Sequence, residues 1–201
     1  EAERFDQGVE VLDAGEDIIF SRQAKDNNNA LIYGLQIGPH SMDLQAQSSL
    51  ISSIIESDFY TQMRTNQQLG YIVASFKQRI EDRLFMKFII QSAEYGPFEL
   101  KRRVEAWLAA MEKLLADLVD EEFERHRAAL VVSLEKEGDS IGEVMGDFYY
   151  AVTEEDEDFR YKTKLIDVVK KLNKDEVLAA ARKMFLDPQT ARLAVLIRSS
   201  E

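Results

Sequence analysis

The chain of 201 residues contains no cysteine. That absence excludes disulfide scaffolds, thiolate nucleophiles and cysteine-ligated zinc. It leaves the redox compartment open, because a cysteine-free chain suits either side of a membrane. Histidine is nearly as scarce, with His40 and His126 the two in the chain. Zincins place two histidines on one helix face, as His-Glu-x-x-His or inverted as His-x-x-Glu-His, and neither spacing occurs. His40 falls in a Gly-Pro-His-Ser turn and His126 on the polar flank of a helical stretch. Each reads as a surface or half-buried side chain, since a lone histidine has no ligand partner in sequence. Positive charge is also short, 25 Lys and Arg against 37 Asp and Glu, for a net charge of -12. Nucleic-acid binding needs a basic face, and so does docking on an anionic membrane; neither partner is expected. No apolar run is long enough to span a bilayer. There is no Gly-rich phosphate loop and no serine nucleophile elbow. On its own residues the chain holds no complete catalytic machine and no metal site.

What is present is periodicity. Ile18-Ile19-Phe20 is a short apolar run read as a strand, and Lys25 to Asn29 is turn chemistry. Leu31, Tyr33, Leu35 and Ile37 then alternate with other residues up to Gly38-Pro39, giving a strand with one apolar face. From Asp43 the period changes. Ile51, Ile55, Phe59 and Met63 recur at helical spacing. Leu69 to Phe76 returns to alternation, with Leu69, Tyr71 and Val73 on one face; Arg79 to Arg83 is a charged turn, and Leu84 to Ser92 completes a hairpin. Gly96-Pro97 opens a helix whose stripe runs from Leu100 through Val104, Trp107, Leu108, Met111 and Leu115 to Leu118. Asp120 is placed to cap the next helix, which carries Phe123, Leu130, Val131 and Leu134. Ser140 with Glu143 matches a capping box for a helix bearing Val144, Phe148 and Val152. The acidic run Glu154 to Asp158 reads as a solvated connection. Two helices, near Tyr161 to Lys171 and from Asn173 to before Asp187-Pro188, precede a last strand, Ala191 to Ile197.

No linker rich in Gly, Ser or Pro and no short repeat divides the chain, so residues 1–201 are read as a single domain. The element order is α+β: a mostly antiparallel sheet with helices packed on one face. The sheet's other face must meet solvent, a cavity or another domain. The first residues, Glu1-Ala2-Glu3-Arg4-Phe5, show neither a signal-peptide pattern nor an initiator methionine. The chain is therefore expected to be a fragment or a processed product.

The stretch around which the rest is arranged is Met63 to Val73. Arg64 closes the helix, Tyr71 opens the strand, and Gly70 lies between them. Such a layout aims a guanidinium and a phenol into one space from two rigid elements. Gly70 permits a sharp turn or the close approach of another chain. Taken alone, the same residues also fit a blander account. Arg64 is favoured by the helix dipole, and Tyr71 suits a sheet rim.

Read as Arg-Thr-x-x-Gln-Leu-Gly-Tyr-x-Val, this stretch resembles the signature in the last domain of insulysin- and pitrilysin-type peptidases. These are the inverted-zincin metallopeptidases of the insulinase family. The flanks agree: Asp26 to Ala30, Phe88 to Ser92, Arg103 to Leu108 with Met111-Glu112-Lys113, and Leu172 to Val177. The likeness runs roughly from Phe5 to Arg198. It implies one of four homologous α+β domains that pair into two bowl-shaped halves around a peptide chamber. Zinc and a general-base glutamate would belong to the N-terminal catalytic domain, with no cofactor on this chain. Alone, the chain should be inactive. By the same likeness Arg64, Gly70 and Tyr71 would contact substrate, with Arg64 orienting the peptide backbone and Tyr71 donating to the oxyanion. Partners would be the other domains of the polypeptide and peptide substrates. Bacterial relatives point to the periplasm, with the cytoplasm as the alternative. Two other readings stay open, a structural core-subunit-like domain and a module that binds extended peptides on a sheet edge.

Overall fold

Alternating apolar residues become strands here, and helically spaced ones cover them. In the computed structural model, residues 11–155 and 158–200 are described, apart from the side chain of Glu154. The strands are β1 (Asp17–Ala24), β2 (Asn29–Pro39), β3 (Ile72–Ile80), β4 (Arg83–Ser92) and β5 (Ala191–Ser199). They form one sheet in the order β1-β5-β2-β4-β3. All neighbours are antiparallel except β1 and β5. The last strand of the chain thus lies inside the sheet, between β1 and β2.

Register lines the apolar residues up. Leu31 pairs with Ile90 and Leu196, and Ile90 with Val73, so one row crosses four strands. Tyr33 with Phe88 and Ala194 makes the next row. Both rows belong to the buried core. Against them pack α1 (Met42–Tyr60), α2 (Pro97–Ala109) and α7 (Lys174–Leu186); α3 (Met111–Asp117), α4 (Asp120–Glu135) and α6 (Tyr161–Lys171) pack on those helices, while α5 (Ile141–Glu154) contributes one buried residue among those described, Ala151. On the opposite face Phe20, Val195, Ile32, Ile89 and Ala74 align in a row, and Phe20 and Ile32 stay exposed. The fold is thus α+β, mostly antiparallel, with helices on one face. Among the described residues no helix is long and apolar enough to cross a membrane.

The caps explain where several helices start. Ser41 accepts from the Leu44 amide at 3.2 Å, Ser140 from Glu143 at 3.2 Å and Asn173 from Glu176 at 2.9 Å. Glu143 completes its box one residue early, accepting from the Asp139 amide.

Three local expectations are corrected, and one helix face is placed outward. The stripe from Leu100 to Leu118 is two helices rather than one. At Ala110 the backbone tightens, and its amide bonds to both Ala106 and Trp107 carbonyls. That turn lets Met111 and Leu115 rejoin the core face after Leu108. Asp120 is the first residue of α4 rather than its cap; Val119 precedes it with no side-chain bond. The α5 stripe Val144, Phe148 and Val152 is exposed. Lastly, the acidic run is not wholly solvated. Residues 156–157 lie outside the described residues, but the Glu155 carboxylate is nearly buried and accepts from Arg79 at 2.9 Å. His40 lies 3.8 Å from the same carboxylate.

Beside this pair, burial pushes the Lys77 ammonium down to about 8, with Glu155 opposing the shift and Arg79 adding to it. A lysine depressed in the fold sheds its proton before the unfolded chain does. Between about 8 and 10.5 the unfolded state therefore binds more protons, and stability rises with pH. Below that window the cost is fully present. Lys77→Met is expected to raise the melting temperature at neutral pH and to flatten the rise across the window, as read by thermal melts over a pH series.

Candidate functional site

Everything that shapes the site lies at one end of α1. The i, i+4 stripe of Ile51, Ile55 and Phe59 continues to Met63 because Thr61–Asn66 widens into a π-helical turn. Its mark is the Gln67 amide bonded to the Gln62 carbonyl at 3.0 Å. Such turns recur at functional sites. The exit is equally specific. Gln68 adopts φ 51, and the Leu69 amide returns to the Met63 carbonyl at 2.9 Å. Met63 and Leu69 are both buried and pin the two sides of the bend.

Gly70 then passes against β4. A Cβ there would lie 1.8 Å from the Gln91 carbonyl oxygen. No side chain fits, so the glycine is required by close approach rather than by φ. Gly70→Ala must push this segment off β4. The expected cost is about 1–3 kcal/mol, together with displacement of Tyr71, read as a lowered denaturation midpoint and altered chemical shifts at Tyr71.

The same crossing corrects the alternation expected for Leu69, Tyr71 and Val73. β3 begins only at Ile72. Leu69 and Val73 are buried, whereas Tyr71 is 85% exposed. The left-handed Gln68 and the contact at Gly70 break the period before the strand starts, and Tyr71 is turned outward. The Arg64 guanidinium sits 5.3 Å from the Tyr71 ring centroid, a cation–π distance. Among the described residues nothing accepts a hydrogen bond from the Tyr71 hydroxyl, and the ring is the one partner of Arg64. Both line an open cleft of about 770 Å³ at the end of the sheet. Tyr60, Asn28, Gln68 and Glu94 also reach it.

Support comes from below. Phe59, Phe88 and Trp107 form a ring cluster with centroids 5.0, 5.0 and 5.6 Å apart, and the Trp107 indole donates to Asp58 at 2.7 Å. Arg103 donates to Gln67 at 3.0 Å, fixing the loop from the side, and is itself held by Glu99 at 2.6 Å. Hydrogen bonds from Arg102, and then from Arg103, hold the Glu99 carboxyl down at about 2. Gln67 and Arg103 were not singled out as site residues in the sequence. They lie 36 positions apart, and no local pattern links them.

The histidines do not assemble a metal centre. His126 meets Ser53 at 3.2 Å, and burial pushes its imidazolium down. His40 sits beside Arg79, and a guanidinium at that distance opposes a dication. Among the described residues no group of three His, Asp or Glu side chains is placed to hold a metal.

Comparison with known proteins places this α+β fold in a family. Residues 50–149 match the family described as PQQ synthase PqqF-like, C-terminal lobe domain 4. That span includes Arg64, Gly70 and Tyr71. A nardilysin-like protein of Arabidopsis thaliana is 28% identical over 199 residues, 96% of this chain and 19% of the relative. Human insulin-degrading enzyme is 27% identical over 176 residues, 88% of this chain and 17% of the relative. The crystal structure of pitrilysin superposes with a TM-score of 0.83 at 24% identity, over 95% of this chain and 20% of pitrilysin. The chain belongs to the insulinase (M16) family of peptidases, as a domain of the C-terminal lobe. It spans about one fifth of the length of these relatives.

Proposed function

We propose that this chain is a non-catalytic domain of a zinc metallopeptidase that cleaves peptides in a closed chamber, and that Arg64 and Tyr71 bind the substrate backbone. The observation that carries this reading is the pair itself. A guanidinium and a solvent-facing phenol stand 5.3 Å apart on the wall of an open cleft. In a purely structural domain neither group would need to face outward.

The hydrolytic metal would lie in another domain, and this chain would act through its own donors. Arg64, with several N–H donors in a rigid fork, would hold a peptide carbonyl and fix the register of the backbone. Tyr71 would donate its O–H to the carbonyl oxygen that gains negative charge during attack. A donor aimed at developing charge favours the transition state over the ground state. Gly70 would keep this edge free of side-chain bulk, so that the peptide can approach the backbone. Because the donors and the attacking group would sit in different domains, catalysis would require closure.

The test is kinetic and uses the full-length polypeptide. Arg64→Gln should raise KM more than it changes kcat, because it removes binding common to ground and transition states. Tyr71→Phe should do the reverse. If both variants retain the parent constants, the peptidase role of this pair is wrong.

A further inference from the structure

A peptide backbone brings one N–H for nearly every carbonyl. Arg64 offers donors alone, and Tyr71 in the role proposed for it also donates, so both serve carbonyls. An N–H drawn out of water without a partner costs as much as a lost hydrogen bond. A cleft that binds a backbone therefore needs an acceptor beside those donors.

Asn28 lines the cleft together with Arg64 and Tyr71. Its backbone N–H and its side-chain Nδ2 both donate to one oxygen of Asp26, at 2.8 and 3.0 Å. An ionised carboxylate only accepts, so the amide nitrogen must face Asp26 and the amide oxygen is turned the other way. The bonds from Asn28, the backbone one first, hold the Asp26 carboxyl below its usual range, which keeps it ionised. Asp26 is fixed in turn, because its carbonyl accepts from the Ser199 hydroxyl at 2.7 Å, at the end of β5. The Asn28 Oδ1 has no hydrogen-bond partner among the described residues.

Register sets this oxygen against the phenol. Asn29 pairs with Ser92, and Ile72 with Gln91. Asn28 and Tyr71 thus stand just before β2 and β3, with the end of β4 between them. Neighbouring strands lie about 4.8 Å apart, so the two backbones are about 10 Å apart, the reach of about three extended residues. Gln68 and Glu94 also bring acceptors to the cleft, but both are exposed and their side chains are untethered among the described residues. A loose side chain loses rotamer freedom on binding, whereas a locked one has already lost it. We propose that Asn28 is a further substrate-binding residue, whose Oδ1, held in place by Asp26, accepts a backbone N–H of the bound peptide about three residues from the bond that Tyr71 contacts. This rests on the peptide-binding role given to the cleft.

The test uses the full-length polypeptide and peptide substrates in which one amide N–H at a time, away from the cleaved bond, is replaced by an ester oxygen. In the parent, one such replacement about three residues from that bond should lower kcat/KM by about 3–10-fold, the worth of one neutral hydrogen bond. Asn28→Ala should lower it by a similar factor with the all-amide peptide and lose nothing further with that ester. Asp26→Ala keeps Asn28 but frees its amide, and should shrink the ester's effect. Each comparison sets two substrates against one enzyme, so a partly unfolded variant does not distort it. If every ester costs Asn28→Ala as much as it costs the parent, Asn28 accepts no backbone N–H and the proposal is wrong, whatever Arg64→Gln and Tyr71→Phe do. An ester effect that vanishes in Asn28→Ala while Arg64→Gln and Tyr71→Phe keep the parent constants would instead remove the roles of that pair and retain Asn28. A full ester effect in Asp26→Ala would overturn the locking by Asp26.

Discussion

Tyr71→Phe in the full-length polypeptide should lower kcat by about 10²–10³-fold, the usual cost of removing one oxyanion donor. The variant deletes a single oxygen from a side chain that is 85% exposed. It strips nothing from the core, so the melting temperature should hold, within about 0.5 kcal/mol of stability. The ring stays, and with it the surface on which the Arg64 guanidinium rests. KM should therefore change little. That separation is what makes the experiment informative. A loss in kcat with the fold and KM intact can come only from the hydroxyl, whereas equal losses in both constants would point to a displaced loop. Turnover at the parent rate would remove Tyr71 from the chemistry and leave Arg64 as a contact of substrate binding.

How much of this could be read beforehand depended on distance along the chain. The alternation at Leu31, Tyr33 and Leu35 and the stripe through Ile51, Ile55 and Phe59 are local, and both became the elements they suggested. Ser140 and Asn173 were recognisable as caps because their partners lie three residues on. Gly70 was legible as a special position, but its reason was not, since the obstructing carbonyl belongs to Gln91 on another strand. Tyr71 was assigned to the face of Leu69 and Val73 by simple parity. Parity fails where a left-handed residue and a steric contact reset the chain, and neither shows in the pattern of apolar residues. Glu155 looked like part of a solvated acidic run because its partner, Arg79, is 76 positions away. The α5 stripe is the inverse case. Its period reported an apolar face faithfully, but period alone does not say whether the covering partner is in the same domain.

Phe59→Ala is expected to cost about 3–5 kcal/mol, the usual penalty for emptying a fully buried aromatic site. Phe59 is 0% exposed and touches both Phe88 and Trp107. Those rings come from β4 and α2, so the cavity would open where three elements meet, and backbone collapse to fill it would have to move a helix. A urea titration should show a lowered midpoint with an unchanged slope if the native state stays compact. Val132→Ala, at an exposed position, should stay within about 0.5 kcal/mol. The consequence for the site follows from position. Phe59 lies one turn before Met63 on the stripe, and Asp58 beside it holds the Trp107 indole. Loosening that base would let the π-helical turn carrying Arg64 shift relative to Tyr71, and small misplacements of oriented groups are costly to catalysis. Folded Phe59→Ala in the full-length polypeptide should thus lose activity beyond its unfolded fraction. If its activity instead tracked the folded fraction alone, the aromatic cluster would support the fold without positioning the pair.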